Sequence, residues 1–394
     1  MSNPGALQVW VEPTAVGLLA QAEQRKYVFS YDPNAEKAVS LTMPVRLESW
    51  VSDELHPIFQ MNLPEGALLE SVRRAIAKII GDDDLSVLLA TGGNQIGRNR
   101  FFAETETPPV DQGEVESLES LLTYPDTREL FHELVQRYAL RSGVSGVQPK
   151  VLLDANERGT LTSAGYIVKS WGEDYPQLAA NEFFCMSAAS AAGLPVPEFH
   201  LAENGGLFIM KRFDKSDAGE TLGFEDMCSL QALGTAQKYR GSYERIAKSL
   251  KSFVSGENLP AARRQFFATL ILSALVRNGD AHLKNFGVIY AEARGSVTMA
   301  PTYDVVTTTA YLKHDVPALT LAGTKKWWPR KMLESFAISH LSLTLAEVRE
   351  IIEQSGEAVM ATRALIPGYT ADHPEFRDVG ESMMRIWEEA VLEF

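Results

Sequence analysis

The chain has 394 residues, 45% of them hydrophobic and 22% charged, which are values of an ordinary folded protein and exclude a largely disordered one. A formal net charge of −14 argues against long unassisted contact with nucleic-acid phosphates, because such contact depends on Lys and Arg displacing counterions. Two cysteines, Cys185 and Cys228, make neither a disulfide framework nor a zinc site, and no run of about 18 apolar residues or basic-then-apolar leader occurs. The expectation is a chain of the reducing cytoplasm, neither secreted nor inserted in a membrane.

At roughly 150 residues per domain, the length suits two or three lobes. The first hundred residues alternate strand-like stretches (7–11, 27–31 and 39–43) with turns. Residues 66–80, GALLESVRRAIAKII, place apolar side chains at helical spacing up to Gly81, so this part reads as a small α+β unit. The stretch 104–116, ETETPPVDQGEVE, is acidic and proline-bearing without periodicity, and reads as a linker. Strands follow at 151–153 and 166–169, then a helix over 177–192 that Gly193 and Pro195 stop, then a strand at 207–211. Beyond it helical periodicity dominates: an apolar helix over 264–276, a short strand at 286–290, and helices from about 343 onward. The two cysteines each fall in a helical stretch.

The helix at 264–276 delivers the chain to Asn-Gly-Asp-Ala-His-Leu-Lys-Asn at 278–285. Asp280 stands five residues before Asn285, the interval between the base aspartate and the metal-binding asparagine of a protein-kinase catalytic loop. Asp304, in Thr-Tyr-Asp, supplies a further carboxylate, expected at the end of a strand. Phosphoryl transfer needs one carboxylate to orient the attacking hydroxyl, and an amide with a second carboxylate to hold magnesium against the phosphates. Asn-Gly-Asp is also an ordinary turn sequence; the loop's setting and Asp304 favour the chemical reading.

Lys169 ends the apolar run Tyr-Ile-Val-Lys, as the phosphate-pairing lysine does in a V-A-I-K strand, and Glu182 on the following helix is a candidate partner for it. Both residue types are more often merely solvated. The segment Ser142-Gly-Val-Ser-Gly-Val-Gln-Pro-Lys150 is neither a Walker loop nor a kinase glycine loop. Its glycines can present backbone N–H groups to a phosphate, or serve a plain β-turn, the reading its residues favour when taken by themselves. Gly92-Gly-Asn-Gln-Ile-Gly97 reads as a turn. Arg212-Phe213-Asp214 either marks the crossing where Phe213 meets adenine or places a phenylalanine in the core.

Taken in order, GVQPK, NEFFCM, KRFD, GFEDMC, NGDAHLKN and PTYDVV resemble the HipA family of bacterial type II toxin kinases over nearly the whole length. The resemblance implies an α+β, protein-kinase-like bilobal fold, with a β-rich small lobe and a helical large lobe after a small N-terminal α+β domain. The corresponding divisions are an N-terminal subdomain at 1–105, a connecting segment at 106–139, the small lobe at 140–213 and the large lobe at 214–394. It implies an ATP- and Mg2+-dependent Ser/Thr protein kinase whose family targets are aminoacyl-tRNA synthetases. Asp280 would be the base, Asn285 and Asp304 the Mg2+ ligands, and Lys169, Ser145, Gly146, Val147, Gln148, Lys211, Phe213, His282 and Lys284 the ATP-binding residues. Self-phosphorylation of a loop serine would switch the enzyme off by placing negative charge beside the nucleotide. Some members carry that serine where this chain has Gly143, so Ser145 is the acceptor candidate and Ser142 the runner-up. The family partner is a HipB-like helix-turn-helix antitoxin, through which operator DNA would mainly be met. Alternatives are a small-molecule phosphotransferase of aminoglycoside or choline-kinase type, and an inactive kinase-like partner in a repressor complex.

Overall fold

The computed structural model describes residues 5–22, 26–104, 115–138, 142–143, 148, 150–156, 163–216 and 218–394. The chain forms two compact units. One comprises Met1–Lys169, Lys211–Thr235 and Ile289–Val297; the other comprises Ser170–Met210, Ala236–Val288 and Thr298–Phe394.

The first unit opens with β1 (Ala6–Val11), β2 (Thr14–Gln21), β3 (Tyr27–Tyr31) and β4 (Trp50–Ser52), which with β5 (Asn99–Ala103) form a sheet of order β4-β3-β2-β1-β5. Leu7, Val9 and Val11 alternate inward along β1 and are fully buried, as a strand with one face on the core requires. Behind them Phe29, Phe59 and Phe101 meet edge to face, with ring centroids 5.4 and 5.8 Å apart along the row. The strand β2 escapes a period-two reading because Gly17 and its irregular burial break the alternation. Glycine is needed there: a Cβ at residue 17 would lie 2.3 Å from the Ser30 carbonyl oxygen of β3.

Residues 39–43 do not form the expected strand; a single bridge joins Ser40 to Met43. Side chains take the backbone groups that a ladder would have used. The Tyr31 hydroxyl accepts from the Val39 N–H at 3.0 Å and donates to the Met43 carbonyl, while the buried Glu225 carboxylate accepts from the Leu41 N–H at 2.7 Å. The helix expected over 66–80 spans Gly66–Ile76 and gives way to a turn.

A second strand pair in this unit, β6 (Lys150–Asn156) and β7 (Ser163–Lys169), is antiparallel with Val151 opposite Val168 and Lys150 opposite Lys169. Beside it, Arg212 and Asp214 form a buried ion pair of 2.6 Å. The Arg212 guanidinium also donates to Asn94 Oδ1 at 2.7 Å and to the Gln95 carbonyl at 2.6 Å, and Asp214 accepts from the Gly97 N–H at 2.6 Å. Burial opposes the Asp214 charge, but Arg212, the Gly97 N–H and Arg100 outweigh it and hold the carboxyl below its ordinary range. In Arg-Phe-Asp, the outer residues therefore fasten the 92–97 turn.

The second unit is helical. The helix α1 (Leu178–Ala191) packs on α3 (Leu345–Arg363), which also packs on α2 (Leu259–Leu275) and α4 (Arg377–Leu392). Thr307 ties this bundle: its backbone N–H donates to Asn181 Oδ1 at 2.8 Å, and its hydroxyl accepts from Trp387 Nε1 at 2.8 Å. The two free cysteines are buried in helices, Cys185 in α1 and Cys228 in the short helix Met227–Leu230 of the first unit. Among the described residues, no helix is long and apolar enough to cross a membrane.

Candidate active site

The C-terminal half of α2 is buried on nearly every side, with Phe266, Phe267, Leu270, Ile271 and Leu275 all in the core, so that end of the helix is fixed. Arg277 then takes a left-handed backbone conformation, φ 55°, and turns the chain out of the helix. The loop beyond it is anchored almost residue by residue. Asn278 Oδ1 accepts from the Asp280 N–H at 3.1 Å, the Asp280 carbonyl from the His282 N–H at 2.7 Å, and the Ala281 carbonyl from the buried Tyr243 hydroxyl at 3.0 Å. The Leu283 N–H donates to the Lys238 carbonyl at 3.1 Å. At position 279 a Cβ would come within 2.0 Å of Asp315 Oδ2 and 2.9 Å of Thr308 Oγ1, so these side chains would have to shift; Thr308 Oγ1 itself accepts from the Gly279 N–H at 2.8 Å.

Asn285 closes a 3-10 turn, Leu283–Asn285, and uses both ends of its amide. Its Oδ1 accepts from the His282 N–H at 3.0 Å, and its Nδ2 donates to Asp304 Oδ2 at 2.9 Å. The neighbouring Tyr303 hydroxyl donates to the Lys284 carbonyl at 2.7 Å. Asp304 does not end a strand, contrary to the sequence expectation: the last strand before it is Val297–Met299. The intervening chain is held instead by α2, through Gln265 Nε2 to the Ala300 carbonyl at 2.7 Å and a Thr269–Thr302 hydroxyl contact of 2.9 Å. Asp304 has φ 60°, a left-handed conformation that aspartate tolerates better than most residues and that concentrates at functional sites.

Asp280 is half-buried, and its Oδ1 accepts from the Tyr239 hydroxyl at 2.7 Å. Burial pushes its pKa up to about 6; Asp304 and Asp315 push the same way, while the Tyr239 hydrogen bond and Lys238 pull against them. A carboxyl poised there accepts a proton more readily than an ordinary aspartate and is still mostly ionised at neutral pH.

Within the second unit the structure thus brings together Asp280, His282, Lys284, Asn285 and Asp304, with His282, Lys284 and Asn285 buried. Glu182 lies in α1 and is fully buried. In the first unit Lys169 is buried at the end of β7, opposite the buried Lys150 of β6, which puts two ammonium groups on one face of the pair. Gln148 and Lys211 are half-buried, and so is Phe213, whose ring meets Phe224 edge-on at 5.3 Å. Ser145, Gly146 and Val147 lie outside the described residues, and of Ser142 only the backbone is described, paired with Asn94.

Sequence reasoning missed Lys150, Lys238, Tyr239 and Asp315. Only Lys150 had a signal, as the last residue of GVQPK; the others are distant in sequence, Tyr239 standing 41 residues before Asp280.

Among the described residues there is no group of three His, Cys, Asp or Glu that could hold a metal. Asn285 and Asp304, already in contact, offer an amide oxygen and a carboxylate, both hard donors. That small set fits magnesium, which keeps waters and takes substrate phosphate oxygens rather than a full protein cage.

A helical unit that presents Asp280 beside an Asn285–Asp304 pair, together with a β-rich unit bearing Lys169, defines a protein-kinase-like α+β fold. The chain belongs to the HipA family: the model of the HipA-like C-terminal domain matches residues 142–363 and that of the HipA N-terminal domain residues 7–101. Among curated proteins, "Putative kinase Y4dM" of Sinorhizobium fredii (strain NBRC 101917 / NGR234) is 30% identical over 58% of this chain and 59% of its own length. "Putative kinase" of Haemophilus influenzae (strain ATCC 51907 / DSM 11121 / KW20 / Rd) is 29% identical over 48% of this chain and likewise 59% of its own length. The chain therefore spans about three fifths of the length of these two relatives. A chain of the Shewanella oneidensis MR-1 HipA, HipB and operator DNA complex shares the fold, with a TM-score of 0.72 and 18% identity over 98% of this chain and 96% of that one.

Proposed function

We propose that the chain is an ATP- and Mg2+-dependent protein Ser/Thr kinase, the toxin of a type II toxin–antitoxin pair. The observation that carries this reading is the second unit's fixed constellation: a raised-pKa Asp280 with Asn285 hydrogen-bonded to Asp304. Asp280 receives the acceptor hydroxyl proton as the new O–P bond forms and the bond to the ADP leaving group breaks. Asn285 and Asp304 would hold magnesium, which would neutralise charge on the phosphates. Lys169, with Lys150 opposite it, supplies fixed positive charge for the phosphates. Gln148, Lys211, Phe213, His282 and Lys284 complete the nucleotide contacts, together with Ser145, Gly146 and Val147.

The acceptor we propose is an aminoacyl-tRNA synthetase, with self-phosphorylation at Ser145, or else Ser142, as the off switch. The partner is a HipB-like helix-turn-helix antitoxin that brings operator DNA; its support is family membership and the net charge of −14. We further propose the divisions 1–105, 106–139, 140–213 and 214–394 as the functional parts of the chain. Incubation of the purified chain with γ-labelled ATP, magnesium and a cell extract tests the reading. Label on a protein of synthetase size is the expected result, and label confined to small molecules would overturn it.

A further inference from the structure

We propose that Tyr239 is a positioning residue that holds Asp280 by its Oδ1 oxygen, so that the acceptor hydroxyl meets a carboxylate of fixed orientation. This rests on the reading of Asp280 as the base. Tyr239 is 44% exposed, so core packing does not account for where it sits. Its hydroxyl nevertheless donates to Asp280 Oδ1 at 2.7 Å, a hydrogen bond to a charged acceptor and hence one of the stronger kind.

The ring that carries this hydroxyl is itself steered. It stands edge-on to His282, centroids 5.1 Å apart, and the Lys238 ammonium lies 5.5 Å from its centre. Its backbone is tied on both sides, by the Leu283 N–H on the Lys238 carbonyl and by Lys325 Nζ on the Tyr239 carbonyl at 3.5 Å. The segment 238–239 and the loop 278–285 thus hold each other, and their mutual hold aims the phenol at the base. A carboxylate has two oxygens and room for several donors, so a bond at Oδ1 fixes its rotation and leaves Oδ2 to receive the acceptor proton. The other charged groups that bear on Asp280 are Lys238, Asp304 and Asp315.

The test compares Tyr239→Phe and Asp280→Asn with the full wild-type chain, using γ-labelled ATP, magnesium and myelin basic protein as acceptor. For Tyr239→Phe we expect kcat to fall about 10- to 100-fold with KM for ATP unchanged, as misplacement of a catalytic group does. The acid limb of its pH profile should move to higher pH, because a donor to the charged carboxylate is gone. The melting temperature should not move; a fall that accounts for the lost activity would make the role structural and overturn the proposal. An unchanged kcat and acid limb in Tyr239→Phe, with Asp280→Asn inactive, would sink the positioning role and leave the kinase reading intact. Equal activity in Asp280→Asn and the wild type would sink the kinase reading and the proposal with it. Titration of the Asp280 carboxyl by carbon NMR decides the contact without any turnover: a higher midpoint in Tyr239→Phe supports it, and an unmoved one overturns it.

Discussion

Asp280 sets stability against function at the level of one side chain. Because the folded chain raises its pKa to about 6, the ionised carboxylate is less at ease in the fold than in water. The penalty is absent below the ordinary aspartate range, grows as pH rises, and is complete above about 6. Asp280→Asn should therefore stabilise the chain by roughly 1–2 kcal/mol at pH 7.5 and leave it nearly unchanged at about pH 3, which denaturant titration at the two pH values would read. The proposed phosphoryl transfer should show the opposite preference in the wild type, with kcat/KM lost as pH falls through about 6, since Asp280 in the proposed base role must be ionised to accept a proton. A flat rate profile between roughly pH 5 and 8 would remove Asp280 from the base role.

Two elements carry the site, the loop after α2 and the strand-free stretch that leads to Asp304, and each is held by contacts made away from the chemistry. In the loop, Gly279 sits where any Cβ would displace Asp315 and Thr308. Gly279→Ala should cost about 1–3 kcal/mol, and removing the obstruction with Asp315→Ala in the same chain should recover much of it; additive losses in that double-mutant cycle would show that the close approach is not the cause. Just beyond the second stretch, Thr307 joins α1 to α4 by donating its N–H to Asn181 and accepting from the buried indole of Trp387. Thr307→Val keeps the shape but leaves that N–H without its acceptor, so unfolding free energy should drop by about 1–3 kcal/mol, while Thr307→Ser should lose far less.

For the whole molecule, charge decides how it can meet DNA. With a net charge of −14, the chain alone should give no retained complex with duplex DNA in a gel-shift assay at physiological salt. Adding the basic helix-turn-helix protein proposed as its partner should produce one that contains both proteins; tight, salt-insensitive binding by the chain alone would contradict this. The two compact units matter at this scale too, because the chain enters each of them three times.

The sequence by itself determined the strands whose period was clean, such as β1 and β3, since alternation of apolar residues records which side must be buried, and it bounded α1 through the stop at Gly193 and Pro195. It also determined the loop 278–285 and its Asp280–Asn285 interval, because a short polar loop after an apolar helix is a local pattern. Tertiary structure alone decided the rest. The segment 39–43 reads as a strand until the Tyr31 hydroxyl and Glu225 take its backbone groups. Arg212 and Asp214 become the fastening of a turn only when Asn94, Gln95 and Gly97 arrive. Asp304 reaches Asn285 by a left-handed turn that no periodicity encodes, and Tyr239 meets Asp280 across 41 residues. Periodicity reports burial along one element, whereas hydrogen bonds and charges at a site depend on which distant elements the core brings within about 3 Å of each other.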